Sequence, residues 1–309
     1  MAQLQVAHAP SAAAVLVTTD GFTASWETLV CAVEIVAALG VSLWLLYRRD
    51  RILAASSPRS ANAEILPLTQ PRSFLSVDGL LYFRVATVLF YVVVQVYDMF
   101  RTRMLCMIFY TSWNFIAQGV YFAIAAWQTF QVHKQQARIT RHGYTELLDE
   151  STGFLRDPAS PTSPALPYRL RRGGRPTRLE LVLDVCLATS ILISVVVWTI
   201  LYPYAVKMHY PEKILNWVSY SQHGINLVIL QIDFLSTQHR ASLHALPLLI
   251  AWPSVYSVFT WILHGTIAKG FWPYPFLEVD TLWAPLWYGG LLFAHLVGFG
   301  CVYFISRLK

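Results

Sequence analysis

The sequence is poor in charge: charged residues make up 13% of its 309 residues, whereas hydrophobic residues make up 56%. A soluble domain carries about 25% charged residues, because polar groups must cover its surface. This chain has too few to do so, which argues strongly against a soluble enzyme and favours several membrane-spanning segments. We therefore predict an all-α integral membrane protein.

Cysteine and early basic residues are also scarce. All four cysteines lie within apolar runs, at Cys31, Cys106, Cys186 and Cys301. That placement argues against a disulfide framework or a CxxC metal site, and it is typical of thiols buried as small apolar groups. No Lys or Arg precedes Arg48, so the basic region of a secretory signal is missing. We expect the first apolar segment to remain in the mature protein.

Seven apolar segments are long enough to cross a bilayer core of about 30 Å, which needs roughly 20 helical residues. They are residues 27–47, 79–98, 104–130, 179–202, 214–235, 245–267 and 283–306. The predicted fold is a bundle of about seven transmembrane helices, here called spans one to seven. The predicted organisation is an extracytosolic tail (1–26), span one (27–47), spans two and three (79–130), a disordered cytosolic loop (131–178) and spans four to seven (179–306). Disorder is expected because residues 156–178 combine Pro, Gly and Arg without apolar periodicity.

The basic residues predict an orientation for this bundle, because cytosolic loops carry an excess of Lys and Arg. Most of the 23 lie in residues 48–78, in residues 131–178 and at the C-terminus. The N-terminus is therefore expected outside the cytosol and the C-terminus inside it, in the plasma membrane or the endoplasmic reticulum. No basic run alternates with stacking aromatic residues, so we expect no nucleic-acid partner.

Two predicted spans carry polar residues at helical spacing, so that each set shares one helix face. They are Thr111, Asn114 and Gln118 in span three, and Asn216, Tyr220, His223, Asn226 and Asp233 in span five. Polar residues within a membrane are costly and usually face the bundle interior, which predicts a polar cavity between the two spans. We expect its lining to include Gln118, Tyr220 and, from span seven, His295.

Thr111 and His223 lie at similar predicted depths, roughly 10 Å and 14 Å below the outer boundary at a rise of 1.5 Å per residue. A hydroxyl and an imidazole at one depth could form a nucleophile and its base. Asn114 and Asn226, one turn from each, could donate to a developing oxyanion. Asp233 lies too far along the helix to orient His223, so the residues indicate a Thr–His dyad.

Other ionisable residues in the spans have simpler explanations. Arg84, Asp184 and Asp233 lie at comparable inner depths, and a structural ion pair of Arg84 with either acid is expected because an unpaired charge there is costly. Glu34 in span one has no obvious partner in the sequence.

Three short motifs in order carry a family resemblance. They are YTSWNF at 110–115, HGIN at 223–226 followed by Asp233, and YPFL at 274–277 followed by Asp280 and Trp283. Over about residues 79–306 the sequence resembles the androgen-induced, rolling-stone-like family of multispan membrane proteins. That resemblance implies a six-helix core, to which span one is added.

The resemblance also implies an activity. Characterised members are threonine hydrolases of fatty-acid esters of hydroxy fatty acids, which implies Thr111 as nucleophile and His223 as base. The implied partners are membrane lipids and a lipid ester, with no cofactor. The motif residues Trp113 and Tyr274-Pro275 resemble more closely the rolling-stone branch of the family, which is linked to myoblast fusion. A non-catalytic interaction protein with structural polar stripes is therefore the alternative.

Two further classes fit the sequence less well. A zinc-dependent intramembrane amidase of the ceramidase type would need several His and Asp converging on one metal. His223, His264 and His295 fall at different predicted depths, and no two His within a span are spaced i, i+4, so we expect no metal site. A transporter would show an inverted repeat or a pair of broken helices, and neither is evident.

Overall fold

The computed structural model describes residues 25–55, 64–72, 74–151, 169–170 and 176–309. The helices are α1 (Trp26–Ala55), α2 (Val77–Thr102), α3 (Tyr110–Ser151), α4 (Arg178–Val196), α5 (Tyr202–Lys207), α6 (Trp217–Tyr220), α7 (Asn226–Ser236), α8 (Leu246–Gly265) and α9 (Ala284–Leu308). The π-helical turn Val197–Leu201 joins α4 to α5, and Ser221–Ile225 joins α6 to α7. Two two-residue strands, β1 (Glu64–Ile65) and β2 (Arg169–Leu170), form one parallel pair.

Five helical segments of the described chain are long and apolar enough to cross a membrane. They are Trp26–Arg49, Val77–Thr102, Arg178–Lys207, Leu243–Gly265 and Ala284–Leu308, which correspond to predicted spans one, two, four, six and seven. The all-α integral membrane fold is thereby confirmed. The chain is also helical where spans three and five are predicted, but α3 and the segment α6–α7 do not meet the same criteria of length and hydropathy. Both segments carry the polar residues that we identified in predicted spans three and five, and these residues lower their mean hydropathy.

Helix α3 differs from predicted span three at both ends. It begins at Tyr110 because Arg103 and Met104 have φ angles of 52° and 69° and a 3₁₀ turn follows at Leu105–Ile108. It continues to Ser151, into the loop that we predicted to be disordered from residue 131. Residues 131–151 contain no Pro and a single Gly, so their helix propensity prevails there. The tail before residue 25 and the Pro-rich part of the loop lie outside the described residues.

The packing puts α4 at the centre of the bundle and α1 at its edge. Helix α4 contacts α3, α7, α8 and α9, while α1 contacts α8 and α9. Helix α4 is apolar on nearly all sides, as expected for a helix surrounded by others, whereas α1 leaves most of its large apolar side chains exposed. In a membrane these exposed side chains would face lipid. The arrangement leaves space between α1, α8 and α9, where one of two cavities lies.

Candidate functional site

A polar cavity opens beside the first turn of α3 and encloses about 780 Å³, its mouth included. Thr111 and Ser112 of α3 line it, together with Gln222 and His223 of the second π-helical turn and Asp98 of α2. The structure therefore places Thr111 and His223 on the wall of one cavity.

A second, apolar cavity of about 770 Å³, its mouth included, lies between α1, α8, α9 and the α4–α5 segment. Its polar lining includes Glu34 and His295, and most of the remaining wall is aliphatic or aromatic. The two cavities share four lining residues, which are Thr111, Val197, Leu201 and Tyr274. Thr111 thus lies at the junction of an apolar and a polar chamber, which the sequence did not indicate.

The hydroxyl group of Tyr274 lies beside the Thr111 side chain and beside the backbone N–H groups of Tyr110 and Thr111. These two N–H groups are unpaired within α3 because they belong to its first turn. Burial raises the pKa of Tyr274 to about 12, although these neighbouring groups lower it. Tyr274 belongs to the third sequence motif, but its contact with Thr111 could not be predicted from chain distance.

His223 lies within the π-helical turn Ser221–Ile225. A π turn changes the backbone pairing, and the carbonyl of His223 accepts from Ser194 Oγ at 2.8 Å and from Trp198 Nε1 at 3.1 Å. Nδ1 of its ring is buried and has no hydrogen-bond partner within the part of the chain that the structure describes. The turn also interrupts the regular helical spacing from which we predicted one continuous polar stripe in span five.

His295 lines the apolar cavity rather than the polar one. Its Nδ1 lies 2.7 Å from the carbonyl of Leu291, so this nitrogen is the donor. Nε2 of the neutral ring then accepts from the hydroxyl of Tyr110 at 3.0 Å. Over the described ranges, no three His, Cys, Asp or Glu residues are grouped as metal ligands would be.

Two of the amides predicted to face the cavity instead link helices to one another. Gln118 Oε1 accepts from the Tyr91 hydroxyl at 2.9 Å and from Asn226 Nδ2 at 3.2 Å. Its Nε2 donates to Ser190 Oγ at 2.8 Å. Neither Gln118 nor Asn226 lines either of the two cavities. These contacts join α2, α3, α4 and α7 in the bundle interior.

Asn114 and Tyr220 are also directed away from Thr111. Asn114 Nδ2 donates to the carbonyl of Tyr110 at 2.7 Å, and its Oδ1 accepts from Trp252 Nε1 at 2.9 Å. Tyr220 is exposed and stacks on Trp198, with ring centroids 5.7 Å apart. The side-chain donors predicted for an oxyanion therefore have other partners, while the backbone N–H groups of Tyr110 and Thr111 lie beside the Tyr274 hydroxyl.

Arg84 pairs with Asp233 at the centre of a fully buried network. Arg84 Nε and Nη2 donate to the two carboxylate oxygens at 2.7 Å and 3.1 Å. Arg84 also donates to Thr129 Oγ1 and to the carbonyl of Leu68, and the Tyr121 hydroxyl donates to Asp233. Every charged atom of the pair thus has a partner, and Asp233 is unavailable to orient His223.

Asp184 does not contact Arg84 but binds the loop that follows α7. Its Oδ1 lies 2.8 Å from His239 Nε2, and its Oδ2 accepts from the backbone N–H of Ser242 at 3.0 Å. His239 Nδ1 is 3.7 Å from Glu180. Burial alone would lower the pKa of His239, but the hydrogen bond to Asp184 and the nearby carboxylate of Glu180 outweigh it and raise the pKa to about 9.

Sequence reasoning missed a third group at the polar cavity. Asp98 accepts from Arg101 Nη2 at 2.8 Å and from Gln222 Nε2 at 3.3 Å. The signal was an acid and a base spaced i, i+3 at the end of span two, a common surface pair. Asp98 lies beside His223 because of the way α2 packs against the segment α6–α7. The spacing of Asp98 and Arg101 in the sequence gives no information on that packing.

Comparison with protein families finds a match for the C-terminal part of the chain. Residues 176–308 match the FAR-17a/AIG1-like protein family. The predicted family resemblance is confirmed by that match. The FAR-17a/AIG1-like region includes His223, Tyr274 and His295 but begins after Thr111. No curated protein and no solved structure matches the chain.

Proposed function

We propose that this protein is an intramembrane threonine hydrolase that cleaves lipid esters, of the class of fatty-acid esters of hydroxy fatty acids, through Thr111 and His223. The observation that carries the proposal is the position of Thr111 where the apolar and polar cavities meet. An amphipathic ester fits this arrangement, with a hydrocarbon chain in the apolar cavity, the ester at Thr111 and a polar group beside His223. The FAR-17a/AIG1-like match over residues 176–308 supports the family resemblance that implies this substrate class.

The proposed chemistry proceeds in two balanced steps. Thr111 Oγ1 attacks the ester carbonyl while His223 takes the hydroxyl proton, and the tetrahedral adduct expels the alcohol, which receives that proton. Water then attacks the acyl-threonine, His223 again accepts and returns a proton, and the carboxylic acid leaves Thr111 free. Nδ1 of His223 has no hydrogen-bond partner among the described residues, so no other group competes with Thr111 for this nitrogen as a base.

We propose the backbone N–H groups of Tyr110 and Thr111 as the oxyanion donors. They lie at the N-terminus of a long helix, where the helix dipole favours negative charge. The Tyr274 hydroxyl oxygen lies beside both groups, and a substrate carbonyl oxygen would take its place. Displacement of Tyr274 would also release the Thr111 hydroxyl for transfer of its proton to His223.

Labelling by a fluorophosphonate probe tests this proposal. We expect wild type and Thr111→Ser to be labelled, because both keep a hydroxyl, and Thr111→Ala and His223→Ala to lose labelling. Thr199→Ala and His244→Ala are matched controls, because both side chains are exposed and outside the two cavities. Undiminished labelling of Thr111→Ala and His223→Ala would contradict the assignment. A folded wild type that is never labelled would favour the interaction-protein alternative.

We also propose an extracytosolic N-terminus and a cytosolic C-terminus, in the plasma membrane or the endoplasmic reticulum. The distribution of Lys and Arg along the chain supports this orientation. A glycosylation acceptor added before residue 25 should be modified, while one added after Lys309 should not. The opposite pattern would reverse the assignment and place Thr111 near the cytosolic side.

A further inference from the structure

Glu34 places an acidic group on the wall of the apolar cavity. Its Oε2 is buried and has no hydrogen-bond partner among the described residues, although α1 is one of the helices able to cross a membrane. Gly289 of α9 leaves room beside it, because a Cβ at that position would lie 3.4 Å from Glu34 Oε1. An acid in this setting is costly without a partner and therefore indicates a ligand.

The other polar groups near Glu34 cannot supply that partner, because their hydrogens are already donated. The donors and acceptors are Tyr110 to His295, Tyr288 to Leu277, Ser254 to Ile250, Ser257 to Pro253 and His295 Nδ1 to Leu291. No Lys or Arg is found among the described residues of the cavity wall. Away from its junction with the polar cavity, the apolar cavity thus offers a ligand oxygen lone pairs and a carboxyl group, and no free hydrogen-bond donor among the described residues.

Aromatic rings complete the environment. Tyr256, Phe276 and Tyr288 line the same cavity, and a ring face attracts a cation by about 0.5–2 kcal/mol. A carboxylate, ring faces and hydroxyl lone pairs all favour a positively charged donor, while the aliphatic wall favours a hydrocarbon chain. An uncharged alcohol would satisfy Glu34 less well, because it brings no charge to pair with the acid.

We propose that the apolar cavity is a binding site for a long-chain amine, whose ammonium group pairs with Glu34 and whose alkyl chain lies along the cavity. The cation supplies the counter-charge that this part of the chain lacks. The amine would occupy the same apolar cavity as the hydrocarbon chain of the proposed ester, but neither Thr111 nor His223 pairs with the ammonium group. Gly289 keeps open the space next to the acid.

Photo-crosslinking of the purified full-length protein in detergent tests the site. The probes are an octadecylamine that carries a diazirine in its chain and the corresponding diazirine-bearing octadecanol. We expect the amine to label peptides of α1, α8 and α9, and Glu34→Gln to lower that labelling about tenfold, as loss of a charged hydrogen bond does. Glu278→Gln, which removes an exposed acid outside the cavity, should behave as wild type.

Two further variants separate the possible outcomes. His223→Ala, whose side chain lines the polar cavity and not the apolar one, should bind the amine as wild type does even where it abolishes fluorophosphonate labelling, so failure of one proposal is distinguishable from failure of the other. Gly289→Val keeps the acid but fills the space beside it, and it should also reduce amine labelling. Wild-type labelling of a folded Glu34→Gln or Gly289→Val protein would overturn the site. Labelling by the alcohol that equals that of the amine would do so as well.

Discussion

Two sets of buried polar groups in this bundle differ in whether their hydrogen bonds are complete. The Arg84–Asp233 network is completely buried and each of its charged atoms has a partner. In the cavities, by contrast, His223 Nδ1 and Glu34 Oε2 are buried without a partner within the described residues. A polar group that is costly to bury and yet unpaired needs a reason other than packing.

The comparison separates residues that hold the bundle together from residues placed to meet a ligand. Polarity and helical spacing mark both sets alike, since Gln118 and Thr111 lie on one predicted face of span three. Their surroundings divide them, because both ends of the Gln118 amide bond to neighbouring helices whereas Thr111 lies at a cavity junction. Asn226 is intermediate: its Nδ2 is engaged, but its Oδ1 has no partner among the described residues.

The largest effect on stability is expected where the complete network is broken. Asp233→Ala leaves Arg84 buried and unpaired, and we expect it to cost about 3–5 kcal/mol. Thermal unfolding in detergent, or the yield of folded protein, would measure the loss. Replacing both partners by apolar residues, as in Arg84→Met with Asp233→Leu, should cost less than Asp233→Ala alone because no charge is left unpaired.

An ion pair at the edge of the bundle provides the matched control. Arg101 is 44% exposed in its pair with Asp98, which is itself 5% exposed but borders the polar cavity and also accepts from Gln222. A partly exposed pair of this kind contributes about 0–1 kcal/mol. Arg101→Ala should therefore change the unfolding temperature little. An Asp233→Ala protein as stable as Arg101→Ala would contradict the structural role of the buried pair.

A smaller, pH-dependent effect is expected at His239. Its folded-state pKa of about 9 lies above the unfolded value, so its interactions with Asp184 and Glu180 stabilise fully below about pH 6.5 and are lost as the pH rises through 9. Thermal unfolding followed from pH 6 to pH 9.5 should show this fall in wild type and not in His239→Gln.

The difference between the pH profiles of wild type and His239→Gln measures the contribution of His239 apart from that of neighbouring titratable groups. Lys309 Nζ donates to the carbonyl of His239, and burial lowers the pKa of Lys309 to about 7, so its own titration has the opposite sign. Lys309 is present in both proteins and its contribution cancels to first order. Parallel pH profiles for wild type and His239→Gln would mean that His239 is not charged in the folded protein.

A third effect, smaller again, is expected for the interhelical amide. Gln118→Ala removes three hydrogen bonds and leaves the Tyr91 hydroxyl and Asn226 Nδ2 without an acceptor. We expect a loss of about 1–3 kcal/mol, measured by thermal unfolding, with fluorophosphonate labelling retained. Gln118→Glu keeps the acceptor oxygen and tests whether the shape of the network suffices. Loss of labelling in a stable Gln118→Ala protein would instead place this amide in the reaction.

Sequence periodicity predicted the class of fold and most of the long helices, because apolar runs of the right length have few alternatives in a membrane protein. It could not predict the two π-helical turns, since no residue type specifies them. One of these turns holds His223, and Val197 and Leu201 of the other line both cavities. It also could not choose between Asp184 and Asp233 for Arg84, because both acids lie at similar depth and only packing separates them.

The smallest effect on stability is expected at Thr111 and His223 on the cavity walls. This prediction tests most sharply the contrast between the cavity residues and the hydrogen-bonded residues of the bundle interior. Thr111→Val keeps the shape of the side chain and removes the hydroxyl that lies beside Tyr274, while His223→Gln removes a ring whose Nδ1 has no partner in the described structure. Each should cost no more than about 1 kcal/mol, because at most one hydrogen bond is lost. Thermal unfolding of these variants beside Gln118→Ala measures the contrast directly. If Thr111→Val or His223→Gln destabilises the protein as much as Gln118→Ala does, the cavity residues are part of the packing and incomplete bonding does not identify a functional site.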